Sequence, residues 1–296
     1  MCAGGGEDSE KFELERLRAR GCEYFDEELS LDSRKEREMI DKSIIRKKCR
    51  LAIRNILKEN TTDVELFNRP FELEYLKIKE VEKNIVDFVT KAIISTKFKE
   101  LKVGKLGHVM IPKKDLCDFR KCAWIDIRDE IVYLTLVLLV ADDIEKARIK
   151  KDSRNNRIFS YRVSAGKSNY LFDKKYHFTS FRETIIKKTN TKKNNVLVEC
   201  DISNFYDRVN IHRIESALLS IEGIDCDIVS LINELLLYWA NRDSYGLPVG
   251  SNASRILAEA ALINVCFCTV SIFIDLLMIT ESLQRMPTPL INTSLY

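Results

Sequence analysis

The chain has 296 residues, 45% of them hydrophobic, enough to bury one large or two ordinary domains, which excludes a disordered chain. Its net charge of +3 does not mark the whole molecule as a nucleic-acid protein, but residues 151–200 hold twelve Lys or Arg against four Asp or Glu. That stretch is either a solvated basic surface or a track for phosphates. Nine cysteines with no C-x-x-C pair give no zinc-like spacing and read as reduced thiols in a cytoplasm.

The N-terminal run MCAGGGEDSEKFELERL lacks an apolar h-region, so nothing in it marks the chain for export, and Gly4, Gly5 and Gly6 make it a loose leader. From about Phe12 to Lys99 the pattern is helical and highly charged. SRKE at Ser33–Glu36 fits a capping box, and Ile40, Ile44, Ile45, Ile53, Ile56 and Leu57 come after it at helical spacing. A second helical run carries Leu76, Val81, Ile85, Phe88, Val89 and Ile93. These apolar stripes are too wide to leave in water, so the helices must dock on the more C-terminal part of the chain.

Near Val103 the texture changes. Gly104, Gly107 and Pro112 surround short apolar runs such as LGHVMIP, which predicts strands and turns. DIRDEIVYLTLVLLVADDIEKARIK predicts a long apolar helix with a charged exit, its uncharged part (Ile131 to Ala141) too short to cross a bilayer. RIFSYRV, Arg157 to Val163, alternates like a strand. Val196 to Cys200 predicts a buried strand that ends at Asp201, with helical segments at His212–Ser220 and Ile228–Asn241. YGLPVGSNASRILAEAALINV is a Gly-Pro turn opening directly into a helix.

On position alone, Asp201 either caps the next turn or presents a rigid carboxylate to a metal. Its neighbours favour the second role. Phe205 and Tyr206 stand where a ring can pack under a nucleotide sugar, and Gly246, Pro248 and Gly250 of GLPVG permit close backbone approach to a flat ligand.

Two of these segments, CDISNFYDRVNIHRI and GLPVGSNASRILAE, resemble in order and pattern the palm motifs of bacterial reverse transcriptases. The nearest group is that of abortive-infection and phage-defence systems, with retron and group II intron enzymes more distant. The resemblance spans roughly Val103 to Val265. It implies an α+β, right-hand polymerase fold, with a helical N-terminal region over residues 1–100, a fingers-like region over 101–195 and a partial palm over 196–265. It further implies an RNA-directed DNA polymerase using an RNA template, a DNA primer and dNTPs, with Mg2+ or Mn2+ as cofactor. By the same resemblance, Asp201 and the Ile202 carbonyl would hold the metal. Tyr206 would exclude a ribose 2′-hydroxyl, while Pro248, Gly250 and Ser254 would lie along nucleotide and template. Arg162 of IFSYR would grip the triphosphate, and Arg120 of DFRKCAWIDI matches another fingers position.

Two-metal phosphoryl transfer needs at least two fixed carboxylates. The family places the second in an Asp-Asp hairpin after the Gly-Pro helix. No aromatic-x-Asp-Asp occurs after Gly250 here, and Asp275 stands alone. Joining the last base of each codon from Phe273 onward to the first two of the next permits Tyr-Arg-Phe-Val-Asp-Asp-Tyr-Arg-Ile-Phe, which is similar to the missing motif. Residues 266–296 are therefore read as an out-of-frame tail, the frame changing between about Asn264 and Phe273, and the chain as an inactive fragment with no thumb. A truncated palm would also be poorly soluble. Two rival readings of the tail exist: AALINVCFCTVSIFIDLLMI as a membrane span would bury Asp275 at a cost of about 2.5–3.5 kcal/mol, and a core helix would find in MPTPL nothing to cap or pack against; no membrane partner is expected. The alternative function is a non-catalytic nucleic-acid-binding fragment that uses Lys187, Lys188, Lys192 and Lys193.

Overall fold

A single apolar helix organises the molecule. In the computed structural model, which describes residues 41–59, 70–112, 118–148, 158–164, 171–189, 202–240 and 243–263, the described elements are mostly helical with one small antiparallel sheet. The order is α1 (Lys42–Glu59), α2 (Pro70–Leu76), α3 (Lys79–Ile94), α4 (Phe98–Leu101), β1 (Gly107–Pro112), β2 (Phe119–Trp124), α5 (Ile127–Ala147) and α6 (Phe178–Thr189). Next come α7 (Phe205–Arg208), α8 (Ile211–Leu219), α9 (Cys226–Trp239) and α10 (Asn252–Ala261). All of them belong to one unit that begins at Asp41.

The central helix is α5. Asp126 caps it by accepting a hydrogen bond from Arg128 N at 2.9 Å. From Ile131 to Leu138 every position is buried and all but Thr135 are hydrophobic, so this part of the helix needs neighbours all round. α1, α9 and α10 supply them. α1 also packs on α3, and α8 bridges α9 and α10.

The N-terminal stripes appear where the periodicity put them, with two differences. Ile45, Ile53 and Ile56 are buried on α1 while Ile44 is exposed. On α3 the fully buried face is Val86, Val89, Thr90, Ala92 and Ile93, and Val81, Ile85 and Phe88 flank it. The predicted capping box at Ser33–Glu36 and the strand Val196–Cys200 lie outside the described residues.

The strand expected in LGHVMIP is β1, which pairs with β2 in a register running from Gly107 opposite Trp124 to Pro112 opposite Phe119. The strand expected at Arg157–Val163 does not form in its described part. Residues 158–164 run without regular structure, apart from an isolated bridge between Val163 and Phe172. Glu145 and Arg148, at the end of α5, take hydrogen-bonding groups of this segment that a neighbouring strand would otherwise use.

Cys49 and Cys122 are free and buried, and burial pushes the Cys49 thiol up to about 11. Cys226 departs from the reduced-thiol expectation: it is disulfide-bonded. Among the described residues no helix is long and apolar enough to cross a membrane.

Candidate functional site

The first motif becomes a tight corner. Asn204, at φ 53°, takes the left-handed conformation that Asn tolerates, and turns the chain into the single-turn helix α7. Val209 and Asn210 then run extended. The Asn210 side chain accepts from His212 N at 2.9 Å and from Arg213 N, starting α8.

The second motif lies against this corner, backbone to backbone. Leu247 N donates to Tyr206 O at 2.8 Å, Gly246 N to Val209 O at 2.9 Å, and Ile211 N to Ser244 O at 3.0 Å. Asn210 and Tyr245 form an antiparallel bridge. Gly246 sits at φ 100°, a conformation open to glycine, and this lets the loop track the corner. Gly250, at φ 106°, makes the next bend.

Beyond the corner the loop touches the hairpin and the central helix. Ala123 N of β2 donates to Val249 O at 3.1 Å. Ser251 caps α10 by accepting from Ala253 N at 3.1 Å, and its hydroxyl donates to Glu130 of α5 at 2.7 Å. Ser254 lies 3.1 Å from the Tyr133 hydroxyl, and both side chains are fully buried. Its hydroxyl fixes α10 to α5 and reaches no solvent in this conformation. Asn252 donates to Asn55 of α1 at 3.0 Å and accepts from Arg255, whose guanidinium lies 5.1 Å from the Tyr161 ring centre.

The IFSYR segment meets the same helix through buried charge. Arg148, at the C-terminal end of α5, donates to Tyr161 O, to Ser160 Oγ at 2.8 Å and to Glu259 of α10. Ser160 also donates to Glu259, at 2.9 Å. Glu145 accepts from Arg148 at 2.8 Å, from Val163 N at 3.0 Å and from Arg162 at 3.2 Å. Burial raises Glu259 above the usual carboxylate range, against the opposing pull of Arg148. Glu259 Oε1 is buried without a hydrogen-bond partner.

The fold thus joins the segments carrying Tyr206, Pro248 and Gly250, and ties Arg162 to the same helix through Glu145, Arg148 and Glu259. Phe205, Tyr206 and Pro248 are buried at the corner. Arg120 is half-buried on β2 opposite Ile111. Beside the corner stands His108 of β1, held below its ordinary value by partial burial and by Lys121, with Asp207 pulling the other way. Lys187 is exposed on α6, a helix that also includes Lys188. Asp201, Lys192 and Lys193 lie outside the described residues.

Among the described residues no group of three or more His, Cys, Asp or Glu could hold a metal ion, and Ile202 is the one expected ligand among them. The magnesium expectation rests on Asp201. Glu130, Tyr133, Glu145 and Arg148 were not singled out in the sequence, although the charged exit of α5 includes two of them, and Ser160 and Glu259 entered only as members of IFSYR and GLPVGSNASRILAE with no role of their own. No protein-family model matches the chain, and no curated protein matches it either.

Proposed function

We propose that the chain is a fragment of an RNA-directed DNA polymerase of right-hand architecture, its chemistry being nucleotidyl transfer from a dNTP to a primer 3′-hydroxyl on an RNA template. The observation that supports this reading is the backbone joint between FYDRVN and YGLPVG. Two segments about forty positions apart meet through Tyr206, Val209, Gly246 and Leu247, and the hairpin strand carrying Arg120 touches the same loop through Val249. A nucleotide site assembled from several chain segments needs such a joint, because its groups must be held to within a fraction of an ångström.

On this reading Asp201 and the Ile202 carbonyl hold the divalent ion, and the Tyr206–Gly250 corner receives the sugar and base. Arg120 and Arg162 serve the phosphates. Metal-assisted transfer calls for a second carboxylate, and the 296 residues offer no Asp-Asp motif after Gly250. On this reading residues 1–296 by themselves are expected to lack activity. Labelled dTTP supplied with an RNA template and annealed DNA primer should not be incorporated by the purified chain. Incorporation abolished by Asp201→Ala would establish the enzyme class and overturn the inactivity. Incorporation untouched by Asp201→Ala would overturn the site.

A further inference from the structure

Helix α1 holds seven Lys or Arg against one acid, Glu59, and no aromatic residue. Its buried side is formed by Ile45, Cys49, Ala52, Ile53 and Ile56, and the helix packs on α3 and α5. Lys47, Arg50, Arg54 and Lys58 lie on the opposite side, three or four residues apart, and all four are exposed. Acids on the neighbouring helices go to the basic residues at either edge of this face. Arg46 pairs with Asp87 of α3 at 2.7 Å, and Lys48 pairs with Asp142 of α5 at 2.6 Å. Among the described residues no acid pairs with Lys47, Arg50 or Arg54, and Arg54 Nε donates to Arg50 O at 3.3 Å.

A helix with a row of cations on its outer face, held in place by an apolar inner face, fits a polyanion. At about 1.5 Å per residue the row from Lys47 to Lys58 covers about 16 Å. That length runs alongside roughly five phosphates of one duplex strand, at about 3.4 Å each. Single strands are gripped by stacking bases on aromatic rings as well as by charge, and α1 has no ring to offer. An anionic membrane takes up a basic helix through its apolar face, and here that face is buried in the protein. We propose that the outer face of α1 docks the phosphate backbone of a double-stranded nucleic acid without reading its sequence. Arg50 and Arg54 offer guanidinium forks to phosphate oxygens, and Lys47 adds a point charge. The surface needs neither Asp201 nor a metal, so it stands or falls apart from the polymerase reading.

Anisotropy of a labelled duplex of mixed sequence, as DNA and as RNA, is followed in EDTA at several salt concentrations. The full chain is compared with a variant carrying Lys47→Gln, Arg50→Gln and Arg54→Gln. Gln keeps helix propensity, and a cooperative thermal transition checks the fold. The slope of log affinity against log salt should fall in magnitude by about 3. Removing the same charge elsewhere, by Lys97→Gln, Lys99→Gln and Lys105→Gln, should change it by less than about 1. Should the triple variant not melt cooperatively, Lys47→Gln and Arg54→Gln taken singly should each lower the slope by about 1. A response with one duplex alone supports the proposal and names the nucleic acid. No duplex binding by the chain, an unchanged slope, an equal fall in the control triple, or a fall with a single strand but not with the duplex overturns it. Binding to phosphatidylserine vesicles that the triple variant loses while its duplex binding stays would assign the face to a membrane, and also overturns it.

Discussion

Glu259 sits where α10 meets the end of α5, its carboxylate shared between Arg148 and Ser160 and buried away from water. Desolvation is the largest influence on it and raises its pKa, so the native state holds this proton more tightly than the unfolded chain does. By linkage, the contribution is fully present below the unfolded value of 4.5 and is lost as pH rises through the higher folded value. Asp129 is also raised by burial and acts in the same direction, so the effect of Glu259 must be isolated by difference. The stability of the native chain relative to Glu259→Gln should fall as pH rises above about 4.5. Urea melts of both proteins across that range test this, and a difference that grows with pH would contradict it. These partners were not legible in the sequence, because Arg148 and Glu259 are 111 positions apart and no local pattern pairs them.

Among elements, the Tyr206–Gly250 corner depends on backbone conformation more than on side chains. A Cβ at Gly246 would meet nothing closer than Asp207 O at 3.6 Å, so space is available, but its φ of 100° is strained for any L side chain. Gly246→Ala should therefore cost about 1–2 kcal/mol from conformation alone. Denaturant unfolding measures this, and an unchanged midpoint would show that the loop relaxes without loss. The helices were largely legible because their signals are local. Apolar spacing marks α1 and α3, and the caps Asp225 and Ser251 came to light only in the structure. α9 begins at Cys226, two residues before the periodicity suggested, because Asp225 accepts from both Asp227 N and Ile228 N. The alternation of RIFSYRV misled for the opposite reason. Its inward side chains answer to Arg148, Glu145 and Glu259 on two helices and not to a neighbouring strand.

Across the whole molecule, α5 acts as the common support. It carries Glu130, Tyr133, Glu145 and, at its end, Arg148, and through them it touches the Gly250 loop, α10 and the Arg162 segment. Its apolar character was plain in the sequence; its role as a scaffold for the site was not, since that depends on which polar side chains face α10. The basic stretch around α6 belongs to the same scale. If it tracks a nucleic-acid backbone, replacing Lys187, Lys188, Lys192 and Lys193 by Gln should lower the slope of log affinity for single-stranded RNA against log salt by up to about 3. Filter binding at several salt concentrations reads this directly, and an unchanged slope would leave these lysines as a solvated face.

CDISNFYDRV and GLPVG are proposed to build one metal-nucleotide site. Its most direct test is binding of dTTP to the purified chain with and without magnesium, beside Asp201→Ala. Magnesium-dependent binding that Asp201→Ala weakens at least tenfold, about 1.4 kcal/mol, is the predicted result. Binding that is indifferent to both magnesium and Asp201, or no binding by the chain, would contradict it.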